Sequence, residues 1–398
     1  VVRIVNALLK HAIIQNASDI HIEPLEKQVI VRYRIDGILH DAMTLPGTSA
    51  ASIAARIKVL SNLKLDEKRL PQDGRFKMEI DGEKVSFRVS TLPVYYGEKT
   101  VMRLLREGGG GFTLESLGFH GQGLEAIHAA LKSTTGMILT TGPTGSGKTT
   151  TLYTMMDILN TPGVNISTVE DPIEYQMARI NQTQVKPDIG LTFSNGLRAL
   201  MRQDPDIIMV GEVRDQETAS LAVNASLTGH KVLSTLHTNS AAATIPRLQD
   251  MEVEPFLLVS TVNVIIAQRL VRKLSDQKET YTLTKEEIVS LRDQVDFDKL
   301  LKALISEGVV AKGTTLEEVP FYRPTAESGE DGYSGRLGIH EVLKLSSAIR
   351  ELVMQGKPAS AIEEQARSEG MLTMVEDGLF LSAQGITSIE EVLRVVNE

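Results

Sequence analysis

Gly142-Pro143-Thr144-Gly145-Ser146-Gly147-Lys148-Thr149 is the stretch that decides the fold of this chain. It follows the short apolar run Met137-Ile138-Leu139, so the order strand, glycine-rich turn and helix is predicted. The glycines let the backbone curl with its N–H groups pointing inward, where they can hold phosphate oxygens. Lys148 adds a positive charge for the β- and γ-phosphates, and the hydroxyl of Thr149 can bind Mg²⁺. The helix predicted at 148–159 directs its positive end at the same phosphates.

The alternative interpretation of this stretch is a glycine turn that merely joins two elements. The strand that precedes it makes that interpretation the weaker one, so we expect a site for ATP and Mg²⁺. The residues predicted to bind the nucleotide are Gly142, Pro143, Thr144, Gly145, Ser146, Gly147, Lys148, Thr149 and Thr150.

Composition and charge restrict the class of protein. The 398 residues are enough for two or three domains. The formal net charge of −9 argues against bulk electrostatic binding of nucleic acid, although such a sum does not report a local basic groove. The absence of cysteine excludes disulfides and thiolate zinc sites, and it fits a reducing cytoplasm.

Neither a membrane span nor a secretory signal is visible in the sequence. The longest nearly apolar stretch, 256–267, is too short to cross a bilayer. Because the chain starts with Val1 rather than methionine, we expect an upstream region that precedes it.

The first part of the chain, 1–106, has the pattern of a small α+β domain. The hydrophobic spacing predicts helices 3–16 and 52–63 and strands 29–33, 76–80 and 85–89. Asp81-Gly82 is a hairpin signal between the last two strands. The glycine run at 108–111 predicts a linker, which we place at 107–112.

From residue 113 onward, short apolar strands alternate with helices. The predicted strands are 137–141, 166–169, 207–210 and 231–235, and the predicted helices are 123–132, 148–159, 194–203, 215–227 and 240–251. This alternation predicts an α/β core, 113–274, with a mainly parallel sheet. An acidic insert with weak periodicity follows at 275–335, and amphipathic spacing predicts a C-terminal helical region at 336–398.

Three predicted strands end in residues that are capable of chemistry. Glu170 and Glu212 each follow a strand, and His237 follows the next one. Because the carboxyl ends of parallel strands share one edge of a sheet, these groups are expected near the phosphate loop. Glu212 then holds or polarises the Mg²⁺ and its water shell, Glu170 is the candidate general base, and His237 senses the γ-phosphate. An acid at a single strand end is more often a helix N-cap, but three such ends beside the loop favour a catalytic group.

The second histidine of this region, His230, stands at the start of the strand that precedes His237. Two interpretations stay open for it. It belongs to the catalytic group, or it is a packed histidine with a hydrogen bond of its own.

Several further motifs, in the same order, resemble the secretion superfamily ATPases that power type II secretion and type IV pilus assembly. The matching segments are Ala17-Ser18-Asp19-Ile20-His21-Ile22-Glu23-Pro24, Arg32-Tyr33-Arg34-Ile35-Asp36-Gly37, Pro71-Gln72-Asp73-Gly74-Arg75, Thr168-Val169-Glu170-Asp171-Pro172-Ile173-Glu174, Gly211-Glu212-Val213-Arg214-Asp215 and Ser234-Thr235-Leu236-His237-Thr238-Asn239. They extend over almost the whole chain, so they are more specific than the phosphate loop alone.

The resemblance implies a hexameric ring with a RecA-like P-loop core, a smaller PAS-like N-terminal domain, and ATP bound between the two domains. It also implies that Arg88 and Arg103 of the N-terminal domain reach the phosphates when the domains close. From the residues alone, a solvated strand face or a structural ion pair is the favoured interpretation of these arginines, and the resemblance reverses that preference. An inner-membrane platform protein, and a further partner bound through an upstream region, are the implied partners, and a cytoplasmic location at the inner membrane is the implied place.

The chain departs from the family pattern in the insert. Assembly and secretion members usually carry paired Cys-x-x-Cys motifs there, whereas Leu274-Ser275-Asp276-Gln277-Lys278 and the later stretch 327–335 contain no thiol. No zinc is therefore expected. Retention of the insert favours an assembly motor over the shorter retraction motors.

The leading functional hypothesis is a motor ATPase whose hydrolysis drives domain rotation against the platform protein, and so extends a pilus or a pseudopilus. A retraction motor, a DNA-translocating ring and a nucleotide-gated scaffold are the alternatives. The acidic net charge gives no support to binding of nucleic acid, and the presence of both Glu170 and Glu212 argues against a scaffold that does not hydrolyse ATP.

Overall fold

The computed structural model describes residues 1–80, 82–106, 111–326 and 332–397, which fall into two units, Val1–Gly109 and Gly110–Glu398. The division lies inside the predicted linker 107–112, of which 107–110 are outside the described residues. The same holds for Asp81 of the predicted hairpin turn and for 327–331 of the insert.

The N-terminal unit is an antiparallel sheet covered on one face by two helices. Its elements are α1 (Val2–Ile14), β1 (Asp19–Pro24), β2 (Gln28–Ile35), β3 (Ile38–Pro46), α2 (Ala50–Leu60), β4 (Gln72–Ile80), β5 (Glu83–Val94) and β6 (Gly97–Arg106). The strand order is β3-β2-β1-β6-β5-β4. Alternate residues of each strand face the helices, and the stacked rings of Phe76 and Phe87 lie in this core with Leu9 and Ile57. The other face carries charged residues.

The second unit is built on a seven-stranded sheet with helices on both faces. Its first elements are α3 (Gly121–Lys132), β7 (Gly136–Thr141), α4 (Lys148–Leu159), β8 (Ile166–Glu170), β9 (Ile180–Gln184), α5 (Phe193–Leu200), β10 (Ile207–Val210), α6 (Gln216–Leu227), β11 (Lys231–Leu236), α7 (Thr244–Asp250), α8 (Pro255–Thr261) and β12 (Val262–Leu274). The remaining elements are β13 (Lys278–Tyr281), α9 (Lys285–Leu291), α10 (Phe297–Ser306), β14 (Phe321–Pro324), β15 (Tyr333–Lys344), α11 (Ser347–Met354), α12 (Ala359–Ser368), α13 (Met374–Ala383) and α14 (Ile389–Asn397).

The strand order in this sheet is β15-β12-β7-β11-β10-β8-β9, and every neighbouring pair is parallel except β12 and β15. The central strands are buried on both sides, as parallel strands between helical layers are. The carboxyl ends of β7, β8, β10 and β11 therefore share one edge, which is where the phosphate loop leaves β7.

The C-terminal region predicted as helical at 336–398 begins with a strand. β15 pairs with β12 over ten register positions, from Val264↔Lys344 to Leu274↔Tyr333, and the helices α11 to α14 follow it. The apolar stretch at 256–267 is likewise divided between α8 and the start of β12. Pairing between segments far apart in the chain, rather than local spacing, makes these residues strands.

The insert folds around its own apolar residues and joins the main core. A short sheet of β13 and β14, the helices α9 and α10, and the connections between these elements carry these side chains. The buried members are Leu283, Ile288, Leu291, Val295, Phe297, Leu300, Leu304, Val319 and Phe321. Hydrophobic packing thus holds the described part of the insert.

In the part of the chain that the structure describes, we find no helix with both the length and the apolar character needed to cross a bilayer.

Candidate active site

The phosphate loop joins β7 to α4. Gly147 is the N-cap of α4 and has φ 88°, a left-handed conformation that glycine adopts without strain. At Gly142 a Cβ atom would lie 2.4 Å from the carbonyl oxygen of Gln268, so a side chain does not fit there. The loop is thereby held tightly against β12, with the N-terminus of the twelve-residue helix α4 facing its interior.

Lys148 lies inside this loop. Its Nζ donates hydrogen bonds to the carbonyl oxygens of Gly142 and Pro143, each at 2.8 Å. Burial lowers the pKa of Lys148 to about 8, and the carboxylate of Glu212 opposes that shift. The hydroxyl of Ser146 is buried and has no hydrogen-bond partner among the described residues. A phosphate oxygen would satisfy both groups, so the loop fits a bound triphosphate.

Gln268 of β12 braces the loop from the neighbouring strand. Its Nε2 donates to the Ser146 carbonyl oxygen at 2.6 Å, and its Oε1 accepts from the Thr151 hydroxyl at 2.9 Å. The side chain is only 2% exposed. Sequence reasoning did not assign Gln268 to the site, since the partner residues are more than a hundred positions away in the chain.

We expect Gln268→Leu to weaken nucleotide binding about tenfold, because it leaves the Ser146 carbonyl and the Thr151 hydroxyl without partners in a buried site, at a cost of about 1–3 kcal/mol. Titration with a fluorescent ATP analogue measures the affinity. Gln384→Leu, at an exposed glutamine, is the control. Unchanged affinity in Gln268→Leu would show that the loop keeps its shape without the brace.

Glu212 follows β10 and lies at the edge where the phosphate loop begins. Its carboxylate is largely buried, with Oε2 3.4 Å from Nε2 of His237 and Oε1 2.5 Å from the guanidinium of Arg214. The bond to this carboxylate raises the pKa of Arg214. The structure therefore brings Lys148, Glu212 and His237 together, and it adds Arg214, which sequence reasoning quoted in a motif but did not assign to the site.

Backbone contacts fix the two segments that carry these groups. Beside Glu212, the Thr235 hydroxyl donates to the Gly211 carbonyl oxygen at 2.8 Å. Beside His237, the Thr238 amide donates to the Thr141 hydroxyl at 2.7 Å, which holds the loop after β11 against the end of β7. The acid and the imidazole are thus supported by rigid strand ends.

Glu170 ends β8, next to β10, and its Cα would lie 3.3 Å from a Cβ placed on Gly211. Its carboxylate, however, is buried under α4, and the residue is 2% exposed. There it accepts hydrogen bonds from Tyr153, Thr168 and Gln182. Burial raises the pKa of Glu170, and these bonds oppose the rise. In the described part of the chain, no hydrogen bond or ion pair joins Glu170 to Lys148, Glu212 or His237.

Comparison with known proteins decides the family. The sequence model of the family described as "Type II/IV secretion system protein" matches residues 1–394. The chain belongs to this family. It is 48% identical, over all of its length and 68% of the relative, to "Type II secretion system protein E" of Xanthomonas campestris, and 47% identical, over the same shares, to "Type IV pilus assembly ATPase PilB" of Pseudomonas aeruginosa.

Two solved structures have the same fold as this chain. The "Pilus Retraction Motor PilT", determined with bound ADP, is 27% identical with a TM-score of 0.66, and the alignment covers 97% of this chain and 95% of PilT. DotB of Legionella pneumophila, 22% identical with a TM-score of 0.70 over 98% of this chain and 94% of DotB, shares the fold. The predicted RecA-like P-loop core with a smaller N-terminal α+β domain is confirmed, as is the family.

His230, the second histidine predicted for the catalytic group, lies at the start of β11, whereas His237 follows its end. Seven residues of extended chain place the two roughly 20 Å apart. The Nδ1 atom of His230 lies 2.8 Å from the Ala225 carbonyl oxygen and 3.2 Å from the Thr228 hydroxyl. His230 is therefore a hydrogen-bonded histidine at the amino end of β11, on the edge of the sheet opposite to His237. This position does not support its assignment to the catalytic group.

Arg88 and Arg103 lie directly opposite each other on β5 and β6, and both are exposed. Arg75 of β4 lies opposite Arg88, so three arginines form a row across the outer face of the N-terminal sheet. Arg103 Nε donates to Oδ1 of buried Asp19 at 3.0 Å. The ion-pair interpretation thus holds for one of the two predicted arginines, and an exposed basic row that can meet an anion is present as well.

Proposed function

We propose that this member of the secretion family is a hexameric, Mg²⁺-dependent ATPase that powers assembly of a type IV pilus or a type II secretion pseudopilus. It would act in the cytoplasm, at the inner membrane, on a platform protein. The observation that carries the proposal is the meeting of the Lys148 ammonium, the Glu212 carboxylate and the His237 imidazole at the carboxyl edge of the parallel sheet. The names of the relatives, a type II secretion system protein E and a type IV pilus assembly ATPase, support the same proposal.

The residues at this edge suit hydrolysis of a phosphoanhydride. The loop amides and the Lys148 amine would hold the phosphates and stabilise the charge that develops on the leaving β-phosphate oxygen. Thr149 and Glu212 have oxygen atoms of the kind that Mg²⁺ prefers, and the ion would neutralise charge between the phosphates. His237, beside Glu212, would contact the γ-phosphate.

Hydrolysis itself needs one proton acceptor. As the oxygen of the attacking water bonds to the γ-phosphorus and the bond to the bridging oxygen breaks, the water loses a proton, for which Glu170 is the proposed acceptor. ADP and inorganic phosphate are then released. In this structure the carboxylate of Glu170 is buried under α4, so it must turn toward the loop before it can act.

We expect Arg88→Ala and Arg103→Ala each to lower ATP turnover about 100-fold, the loss typical of one group that stabilises transition-state charge. Because Arg88 is exposed, the thermal midpoint of Arg88→Ala should stay within a degree or two of the parent value. Arg103→Ala also removes the bond to buried Asp19, so its midpoint should fall further. A coupled ADP-release assay measures turnover. Arg69→Ala is the matched control, because this arginine of the same unit is 88% exposed and forms a surface ion pair with Glu67. If both variants turned over ATP at the parent rate, these arginines would have no part in catalysis.

The motor function is tested by what stimulates turnover. We expect a platform protein of a type IV pilus or type II secretion system, reconstituted in lipid nanodiscs, to raise ATP turnover of the purified full chain, and duplex DNA to have no effect. Stimulation by DNA alone would support the translocating ring instead. The similarity to PilT keeps a retraction motor as the alternative within the same class, and fibre growth or loss in cells that carry the Glu212→Gln variant separates the two.

A further inference from the structure

A buried hydrogen-bond network surrounds the proposed base. The Tyr153 hydroxyl of α4 donates to Oε2 of Glu170, and the Thr168 hydroxyl donates to Oε1 at 2.5 Å. Gln182 of β9 donates from Nε2 to the same Oε1 at 3.2 Å. Both Tyr153 and Thr168 are fully buried. The carboxylate therefore has three donors from three different elements and is almost completely shielded from solvent.

The network is itself held in place. The Tyr153 hydroxyl accepts from the Glu174 amide and from Gln182 Nε2, both at 3.3 Å. The Gln182 side chain also donates to the Tyr175 carbonyl oxygen at 3.0 Å and accepts from the Met177 amide at 2.9 Å. The segment that follows β8 is thus tied to α4 through the same tyrosine that binds Glu170.

A single helix, α4, connects the residue that binds Glu170 to the phosphate loop. Tyr153 lies on α4, the helix whose first residue is Lys148 and whose N-terminus faces the phosphates. A carboxylate this deeply buried, with its oxygens already bonded to three donors, is not placed to accept a proton from an attacking water molecule. Any movement of Glu170 toward the loop must first exchange its bond with Tyr153.

We propose that Tyr153 is a positioning residue for Glu170, which stores the carboxylate under α4 and controls its access to the water that attacks ATP. The proposal rests on the proposed function, in which Glu170 is the base. Among the residues that the structure describes, no side-chain hydrogen bond joins Tyr153 to Lys148, Glu212 or His237, so we expect it to act through Glu170.

The groups that face Glu170 determine how its protonation responds to loss of this bond. Tyr153 approaches from α4, Glu174 and Tyr175 from the segment after β8, neutral Gln182 from β9, and Gly211 from the end of β10. The bond from Tyr153 favours the ionised carboxylate, whereas burial and Glu174 favour the protonated one. Removal of the hydroxyl therefore makes the base harder to ionise.

The decisive measurement is the pH dependence of kcat/KM for ATP in Tyr153→Phe, made in the full chain. We expect the acidic limb to move to higher pH by about one unit, the effect of one lost hydrogen bond to a charged group. Affinity for a non-hydrolysable ATP analogue should be unchanged. Tyr175→Phe is the matched control, because it removes a phenol hydroxyl from the ring that packs edge-on against Tyr153 at 4.7 Å and donates nothing to Glu170.

A second variant and a double variant complete the test. Thr168→Val removes another donor at nearly constant shape and should move the limb in the same direction, which keeps the proposal testable if Tyr153→Phe does not fold. In a Glu170→Gln background, Tyr153→Phe should change the residual turnover less than twofold. If Glu170→Gln is inactive while Tyr153→Phe and Thr168→Val leave the limb in place, the positioning role is wrong and the base assignment stands. If Glu170→Gln turns over ATP at the parent rate, the base assignment fails and the role of Tyr153 fails with it.

Discussion

Glu212→Gln should bind ATP with nearly parent affinity and lose turnover about 1,000-fold. Glutamine keeps the size of the side chain and one oxygen that can face the metal or His237, but it removes the negative charge. That charge faces the Lys148 ammonium and the Arg214 guanidinium, and it is largely buried, where charge interactions are strong. Losses of 100- to 1,000-fold are typical when one preorganised electrostatic group is removed from an active site.

Binding and turnover must be measured separately for this prediction. Equilibrium titration with a fluorescent ATP analogue reports binding, and phosphate release reports turnover. Lys148→Ala should behave differently, since it removes the charge inside the phosphate loop and so weakens binding itself. Glu217→Gln, at a half-exposed acid that pairs with Arg198 on the surface, is the matched control and should retain parent turnover. Hydrolysis at the parent rate by Glu212→Gln would show that the catalytic acid has been misassigned.

The chain order of motifs allowed the centre of this site to be predicted. Strand, glycine turn and helix are local features, so they located the phosphate loop from a dozen residues. The positions of Glu212 and His237 followed from one rule, that parallel strands end at the same edge of a sheet. The structure places both side chains there, with a contact of 3.4 Å between them. Their proposed roles stay predictions.

The direction of a side chain could not be predicted in the same way. Glu170 obeys the strand-end rule for its backbone, yet its carboxylate turns to the α4 side, because alternate residues of a strand face opposite layers. His230 and His237 show the matching limit: both flank β11, but only the later one is at the catalytic edge. Gln268 was missed because its partners, Ser146 and Thr151, become neighbours only when β12 pairs with β7.

Strand pairing at long range explains the differences in the fold as well. Three strands of the N-terminal sheet, β1, β3 and β6, were not predicted from local hydrophobic spacing, although each pairs with neighbouring strands of the sheet. β15 was assigned to a helical region, although it completes the edge of the sheet by pairing with β12. Local spacing reports such strands weakly, because their stability comes from a partner elsewhere in the chain.

The thiol-free insert raises the question of what ties it to the core in addition to its apolar residues. One answer is a pair of ionic contacts, of which the first is largely buried. Lys299 of α10 pairs with the buried carboxylate of Glu376 at 2.6 Å and donates to the Met371 carbonyl oxygen at 2.9 Å. At the other end of α10, Glu307 meets His120, the N-cap residue of α3. These contacts connect the insert to α3 and α13.

His120 should make the stability of this unit depend on pH. Its Nδ1 lies 3.0 Å from Oε1 of Glu307, its Nε2 lies 2.8 Å from Oδ1 of Asp377, and its ring stacks on Phe380 at a centroid distance of 3.9 Å. Burial lowers the pKa of His120, but the two carboxylates raise it by more, so that it moves from 6.5 to about 9. Because the pKa of His120 is higher in the folded state than in the unfolded state, its ion pairs contribute fully to the free energy of unfolding below pH 6.5. This contribution is lost as pH rises through about 9. A pKa difference of about 2.5 corresponds to about 3 kcal/mol.

We therefore expect His120→Gln to lower the free energy of unfolding by about 3 kcal/mol at pH 6, and by less than about 1 kcal/mol above pH 9. Urea unfolding of parent and variant across this pH range measures the difference between their free energies of unfolding. Other titrating groups, such as Lys148, contribute equally to both proteins and cancel in this difference. His128→Gln, on the outer side of the same helix with a 42% exposed ring, is the matched control and should show no gap at any pH. Amide exchange should rise in α10 first, since Glu307 loses its partner there. A gap that does not change with pH would mean that His120 contributes by packing alone, and that the imidazolium bridge does not hold the insert.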